Sequence, residues 1–502
     1  MLRLNWITGS AALLISLSLA GTVSAQTAPE QEADRAETRR ASIEDTLRAT
    51  DEAVSAMNDP TCPPVTFSDV LANPDDTALN VCYARVQIAA GEVRGAAATL
   101  ERVLLIAPDA VNVRLLYAIV LFRLDNVDEA EREFLEVSQL DLPADVRRQV
   151  DDFLDQIQLR RQTVRHRATV SFGTYYDTNR NSAPASDQTQ VAGAFVPIAV
   201  EENRENDDIG WLTALGYQFT YDPGFQNQHE IFGGVNLYGE VLTEVSQLDV
   251  QAMTLDLGTR LRYPGWTFTP RAFLRNMRLD WDKFFQSEGI ELRVDHRHNL
   301  TGLEDVPPVD LWASFTAADE DYHNTRNFQT LTLRSGPKYT TRLGAGMLIT
   351  PEHHISATFT NEYKSAAPDC ANNGCVRVFS YDYNALELSH TWILGDGHFL
   401  LSNLLFGSRR YNASDTLVVG GTGQRRYENP FRARVTYGMP LIDLIGETWL
   451  DDTVNSNNRI LDFFGETTVA FSGEFNYQRS NITNFQYNSE RAQVLLTRRF
   501  DY

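Results

Sequence analysis

Over the last two-thirds of the chain, apolar and polar residues alternate with a period of two. From Ala492 onward, Val494, Leu496, Phe500 and Tyr502 share one face, and Gln493, Thr497 and Arg499 share the other. That is the period of a strand with different surroundings on its two faces. The pattern runs up to the terminal Tyr502 with no turn or further strand after it. The expectation is a sheet that closes on itself as outer-membrane β-barrels do, the last strand ending on an aromatic belt residue.

At the other end, Arg3 precedes an apolar run from Ala11 to Ala20, followed by Val23-Ser24-Ala25 and a polar stretch. This reads as a secretory signal peptide over residues 1–25. No cysteine stands between Leu17 and Gly21 to carry lipid. Elsewhere no run approaches the roughly 20 apolar residues that a spanning helix needs, so membrane insertion has to use strands. At 502 residues and a net charge of −23, the chain is expected to hold two domains and to make no nucleic-acid contact. Its four cysteines allow two disulfides, most simply Cys62 with Cys82 and Cys370 with Cys375, with free thiols as the alternative.

Residues 26–165 carry a helical period. Ile43, Leu47, Val54 and Met57 fall on one face of an expected helix over residues 42–57. Tyr83, Ala84, Val93, Ala96, Leu100 and Val103 recur 34 residues later as Tyr117, Ala118, Val127, Ala130, Phe134 and Val137. That offset is the tetratricopeptide period; the small alanines let helices approach, and Leu100 and Phe134 fill the seam. Pro108 and Pro143 punctuate helix ends. Two repeats are too few to bury a continuous core, so the helix at 42–57 and one bearing Val146, Val150, Phe153 and Ile157 are expected to cap the stack.

Past Arg167 the period changes from 3.6 to 2, which marks the boundary of a second domain, a barrel over residues 166–502. The alternation divides it into about 14 antiparallel strands, from 168–177 to 490–502. Such barrels have an even number of strands, with short turns inside and long loops outside. Short connections at 222–228, 264–265 and 395–397 alternate with long ones at 178–208, 321–336, 366–376 and 412–428. The helical domain, entering before the first strand, is therefore expected in the periplasm. Residues 441–460 make a long connection on the short-turn side, read as a plug or a miscounted strand.

The two strand faces differ chemically. Ile290, Leu292 and Val294 alternate with Glu291, Arg293, Asp295 and Arg297; Phe471, Phe475 and Tyr477 alternate with Ser472, Glu474 and Asn476. A charge facing hydrocarbon costs about 2–4 kcal/mol at the midplane, so the charged set is assigned to a polar lumen. Its members are Arg260, Arg262, Arg271, Arg275, Arg293, Arg297, Glu362, Arg432, Arg434, Glu466 and Glu474. Cross-strand bracing is one reading of these charges, and a cationic passage for an acidic cargo is the other.

Catalytic patterns are weak. His354 and Ser356 with Asn361 nearby are similar to an outer-membrane phospholipase arrangement, but they share the luminal face with Thr358, Thr360 and Glu362. Asp177, Asn179 and Asn181 have the alternate spacing of a calcium loop, but Ser182 and Gln188 stand where a glycine and a glutamate are required. A hydrogen-bonded turn is expected there instead. His296 and His298 share a face without a third ligand and are read as luminal. No enzyme activity, cofactor or metal is expected, and without a GxxxxGK[ST] loop the chain supplies no nucleotide energy of its own.

The order of signal peptide, short repeat domain and barrel, together with the segment SFGTYYDTNRNSAPAS at residues 171–186, resembles the surface lipoprotein assembly modifier (Slam) family. The resemblance implies a barrel of about 14 strands that delivers lipoproteins, or related soluble proteins that acquire haem or metal, from periplasm to cell surface. It also implies that the repeat domain meets the client first. The 34-residue register puts Arg85, Asn112, Phe122 and Arg123 at concave positions, as candidate client contacts. The expected partners are an exported client and outer-membrane lipid, and the barrel is expected to be monomeric. A polysaccharide exporter and a nutrient porin are the alternatives.

Overall fold

The computed structural model describes Cys62 and residues 65–124, 126–140, 142–161, 163–198, 204–224, 229–298, 307–328, 331–370, 376–445 and 466–502. The expected signal peptide, the expected helix at 42–57, Cys375 and most of the 441–460 segment lie outside them. The chain divides into a helical unit ending at Gln162 and a strand unit starting at Thr163, a few residues before the boundary read from the change of period.

The helical unit contains α1 (Phe67–Ala72), α2 (Thr77–Ala89), α3 (Val93–Ile106), α4 (Val111–Arg123), α5 (Val127–Ser138) and α6 (Ala144–Arg161). The pairs α2/α3 and α4/α5 start 34 residues apart, at Thr77 and Val111 and at Val93 and Val127. Ala84, Ala96, Ala118 and Ala130 are fully buried at the helix crossings, and Leu100 and Phe134 are buried between them. Helix α6 closes the stack through Val150, Phe153 and Ile157. Its Phe153 ring stacks on Phe134 at 4.9 Å and meets Phe122 edge-on at 5.4 Å.

Local signals set the helix starts. Asp76 accepts from the Leu79 amide at the head of α2 (3.0 Å). Before α1, Thr66 donates both its amide and its hydroxyl to the Asp69 carboxylate, at 2.9 and 2.7 Å. Those two bonds hold the exposed Asp69 carboxyl below its ordinary pKa. The Cys62–Cys82 disulfide ties the segment before α1 to α2. Cys370 is also disulfide-bonded.

The strand unit is a closed antiparallel barrel of 14 strands. They are β1 (Val164–Asp177), β4 (Asp208–Tyr221), β5 (Glu230–Leu242), β6 (Val250–Tyr263), β7 (Trp266–Leu279), β8 (Asp282–His298) and β9 (Val309–Tyr322), then β10 (Gly336–Thr350), β11 (His353–Lys364), β12 (Tyr381–Gly395), β13 (His398–Tyr411), β14 (Tyr427–Pro440), β15 (Thr467–Ser480) and β16 (Tyr487–Asp501). A separate hairpin, β2 (Gln188–Val191) and β3 (Ala194–Pro197), lies inside the first long connection. Strands β1 and β16 close the barrel, with Arg167 opposite Asp501 and Asp177 opposite Arg491. Beyond the ladder, His166 and Tyr502 exchange backbone hydrogen bonds at 2.8 and 2.9 Å.

The outer wall is apolar and exposed in the isolated chain: Val170, Phe172, Leu215, Leu237, Leu257, Ile290, Leu343, Phe359, Leu386, Val435 and Phe471 all lie on it. Exposed aromatics bound it at both ends, with Tyr176, Trp211, Tyr339, Tyr363 and Tyr477 toward the long loops and Tyr221, Tyr263, Trp266 and Trp392 toward the short turns. On β4 the distance from Trp211 to Tyr221 is about 25 Å along the barrel axis, at roughly 3.3 Å per residue and about 40° of tilt. This matches a membrane's apolar band.

Candidate functional site

Odd-numbered residues of β1 point inward, and the chain that follows turns into the barrel mouth. Inward-facing Tyr175 and Asp177 are buried, while Phe172 and Tyr176 on the other parity are exposed. Residues 177–181 then spend their polar groups on the protein. Asp177 accepts from Ser489 Oγ (2.7 Å) and from Arg491 Nη2 (2.8 Å). Asn179 donates to the Ala183 and Asn488 carbonyls and accepts from the Ala183 amide. Asn181 donates to the Arg204 carbonyl. The segment with calcium-loop spacing is thus a hydrogen-bonded turn.

The centre of this turn is Arg180, fully buried with Glu240 of β5. Its Nη2 donates to Glu240 Oε1 at 3.0 Å and its Nε to the Tyr175 hydroxyl at 3.0 Å. Tyr175 also donates to Glu240, and Tyr238 donates to the other carboxylate oxygen at 3.0 Å. Two inward strand residues therefore hold an arginine supplied by the loop.

The mouth loops also hold one another. Gln190 of β2 accepts from Asn484 Nδ2 and donates its amide to Asn484 Oδ1, and Gly193 donates to the Val418 carbonyl. Gly193 and Gly420 both have positive φ, and a Cβ on Gly420 would sit 2.5 Å from the Ala192 carbonyl oxygen. Only glycine allows that approach. Beneath the loops, Leu212, Tyr238, Leu242, Val250, Met277, Leu279, Phe284 and Tyr322 form a buried apolar cluster with Leu248 and Leu331 of the loops. The inner wall at this end is therefore partly apolar, beside the buried Arg180–Glu240 and Asp177–Arg491 pairs, against the expectation of a uniformly polar lumen.

Away from that apolar cluster the inward charges form a braced wall. Glu230 receives Arg165 (2.6 Å), Arg260 and Arg262 (3.0 Å). Arg271 pairs with Glu291 at 2.5 Å, Arg293 with Asp295 at 2.7 Å, and Arg434 with Glu474. Arg297 and Arg432 are more loosely held, 4.0 Å from Asp310 and 3.8 Å from Glu387. Glu362 accepts from Tyr381 (2.6 Å) and lies 3.9 Å from Lys338, which with Lys364 also pairs with Glu320. Arg275 has no ion pair among the described residues and lies over the Phe273 ring at 4.5 Å.

Three sequence assignments are corrected. Glu466 is not a lumen residue: it precedes β15 and pairs at 2.8 Å with Arg498, which lies over Phe500 on the outward parity of β16. His296 and His298 have the outward parity of Ile290 and Leu292, and His296 stacks on the girdle residue Trp266 at 4.2 Å. In the helical unit, Phe122 has no exposed surface and belongs to the core. Asn112 is exposed and Arg123 half-buried; Arg85 donates to Cys62 Sγ at 3.5 Å. Nearby, burial together with the Glu101, Glu129 and Glu133 carboxylates pushes the Tyr117 hydroxyl up to about 12. His354, Ser356 and Glu362 share the inward face, as Ile355 and Phe359 are exposed outside.

Residues 87–147 match the tetratricopeptide repeat family model. No curated protein matches the chain in sequence. Among solved structures, Pseudomonas aeruginosa OpdO is similar at 10% identity and a TM-score of 0.30, over 68% of this chain and 98% of that one. Acinetobacter baumannii OccAB4 is similar at 7% identity and a TM-score of 0.31, over 68% and 99%. A loop-deletion mutant of Vibrio cholerae OmpT, an outer membrane protein, is similar at 9% identity and a TM-score of 0.33, over 68% and 100%. At such values the likeness carries no inference, and the barrel rests on its own strand register.

Proposed function

We propose that this chain is a non-enzymatic outer-membrane translocator, whose periplasmic repeat domain receives an exported lipoprotein or related secreted protein and whose barrel passes it to the cell surface. The apolar outer wall with aromatics at both ends supports residence in a membrane. The alternation of short turns and long loops supports placing the helical unit, which precedes β1, on the periplasmic side.

The observation that carries the transport reading is the joining of a helical repeat unit to a barrel whose mouth is occupied by its own interlocked loops. A barrel for free diffusion has no need of either feature, whereas a channel that opens only for a client benefits from both. The test is deletion of residues 26–160 behind the native leader. The barrel should keep its heat-modifiable mobility on gels while surface display of the client is lost. Unchanged display refutes the capture role. A steady open conductance of the full-length protein in planar bilayers would favour a porin instead.

A further inference from the structure

We infer that the outer rim formed by β13, β14 and β15 is a docking site for the phosphorylated headgroup of a lipid in the leaflet at the long-loop end. This rests on the membrane placement proposed above. On the outward face of these strands, Phe406, Phe431 and Phe475 form an aromatic ladder with centroids 5.2 and 6.3 Å apart. Directly above it, toward the loops, the same face carries Tyr427, Arg410 and Arg479. Arg425, exposed, lies two residues before Tyr427.

In a chain of net charge −23, these three guanidinium groups form no ion pair among the described residues. Arg410 lies over the Tyr427 ring at 5.7 Å. Asp382, its cross-strand neighbour on β12, forms no ion pair with it. The backbone beneath the cluster is fixed by Asn481, which donates to the Arg425 carbonyl (2.9 Å) and accepts from the Tyr427 amide (2.8 Å). The rim at β8 and β9 is the opposite, lined by Glu288, Asp319 and Asp321.

Guanidinium groups bind phosphate bidentately, and a cation just above an apolar belt sits at the depth of lipid headgroups. Free arginines over an aromatic ladder thus complement one ligand, an anionic phosphate carried on acyl chains that lie along the belt. A soluble phosphate would use the arginines and leave the ladder unused.

Full-length protein in non-ionic detergent is titrated with diphosphorylated lipid A, with phosphatidylethanolamine and with inorganic phosphate, binding being read by native mass spectrometry. The diphosphorylated lipid should be retained, and Arg410→Gln/Arg425→Gln/Arg479→Gln should weaken it on the order of 100-fold, from roughly 1 kcal/mol per cation near a charged surface. Glu288→Gln/Asp319→Asn at the acidic rim should leave it unchanged. Equal retention by the triple arginine variant overturns the proposal, as does displacement of the lipid by equimolar inorganic phosphate. Heat-modifiable mobility of each variant establishes a folded barrel. A protein that stays soluble without detergent refutes the membrane placement itself, a failure separate from loss of the lipid alone.

Discussion

Replacing Arg180 with methionine keeps most of the side chain's volume and removes its charge. Glu240 is then left fully buried, with the Tyr175 and Tyr238 hydroxyls as its remaining donors. Removing one partner of a buried ion pair costs about 3–5 kcal/mol. The lower end applies here, because two donors remain and because Arg180 Nη1 has no hydrogen-bond partner among the described residues, so its loss removes an unsatisfied group. About 3 kcal/mol is roughly a 100-fold shift toward the released loop at 1.4 kcal/mol per decade. The strand ladders do not include Arg180, so the cost falls on loop 178–207 and not on the barrel. Protease added on the loop side of reconstituted vesicles should cut within that segment about 100-fold faster, with heat-modifiable mobility retained. Arg180→Met/Glu240→Gln, which removes the stranded charge, should recover most of the protection. A wild-type cleavage rate in the single variant would refute the claim that this pair holds the mouth loop.

Phe134→Ala opens a cavity beneath Phe153 and should destabilise the helical unit by about 3–5 kcal/mol, read as loss of its calorimetric transition while the barrel's persists. Cys82→Ser releases a loop of 20 residues and should lower the stability of the same unit by about 3 kcal/mol under oxidising conditions, with no effect under reducing ones. Because the Asp69 carboxyl is held below its unfolded value, its cap on α1 is in place above the ordinary carboxylate range and is lost as pH falls through the lowered folded value. Hydrogen exchange at the Thr66 amide should accelerate relative to its intrinsic rate as pH falls through that lowered value, and Asp69→Asn should remove this pH dependence.

The 14 barrel strands were legible because each is apolar on its outward side and largely polar on its inward one, which gives a strong two-residue contrast. Where that contrast fades, the reading failed. Toward the mouth, Leu242, Val250, Met277 and Leu279 are apolar on the inward side as well, because loops cover them. Between Met277 and Arg278 the β7/β8 register shifts, so Phe284 and Phe285 are both buried and the parity breaks. The β2–β3 hairpin is too short to show a period. Among the helices, the repeat offset located α2 to α5, but it could not grade exposure within α4. There Leu115 to Phe122 are all buried, since neighbours surround the helix on every side. The groove position assigned to Phe122 failed for that reason. The glutamate at 466 was assigned by counting parity into a turn, where a side chain is free to swing to either face.

The hydrogen-bonded seam between β1 and β16 joins residues 334 positions apart, as in the Arg167–Asp501 pair. A partly made chain therefore has two unsatisfied strand edges, and bilayer hydrocarbon offers neither of them a water molecule. On the membrane placement proposed above, insertion one hairpin at a time would need another surface to pair with those edges at each stage. Without such a surface the cylinder closes only when the last strand of the ladder, Tyr487–Asp501, reaches β1, so those 15 residues complete the hydrogen bonding of both edges.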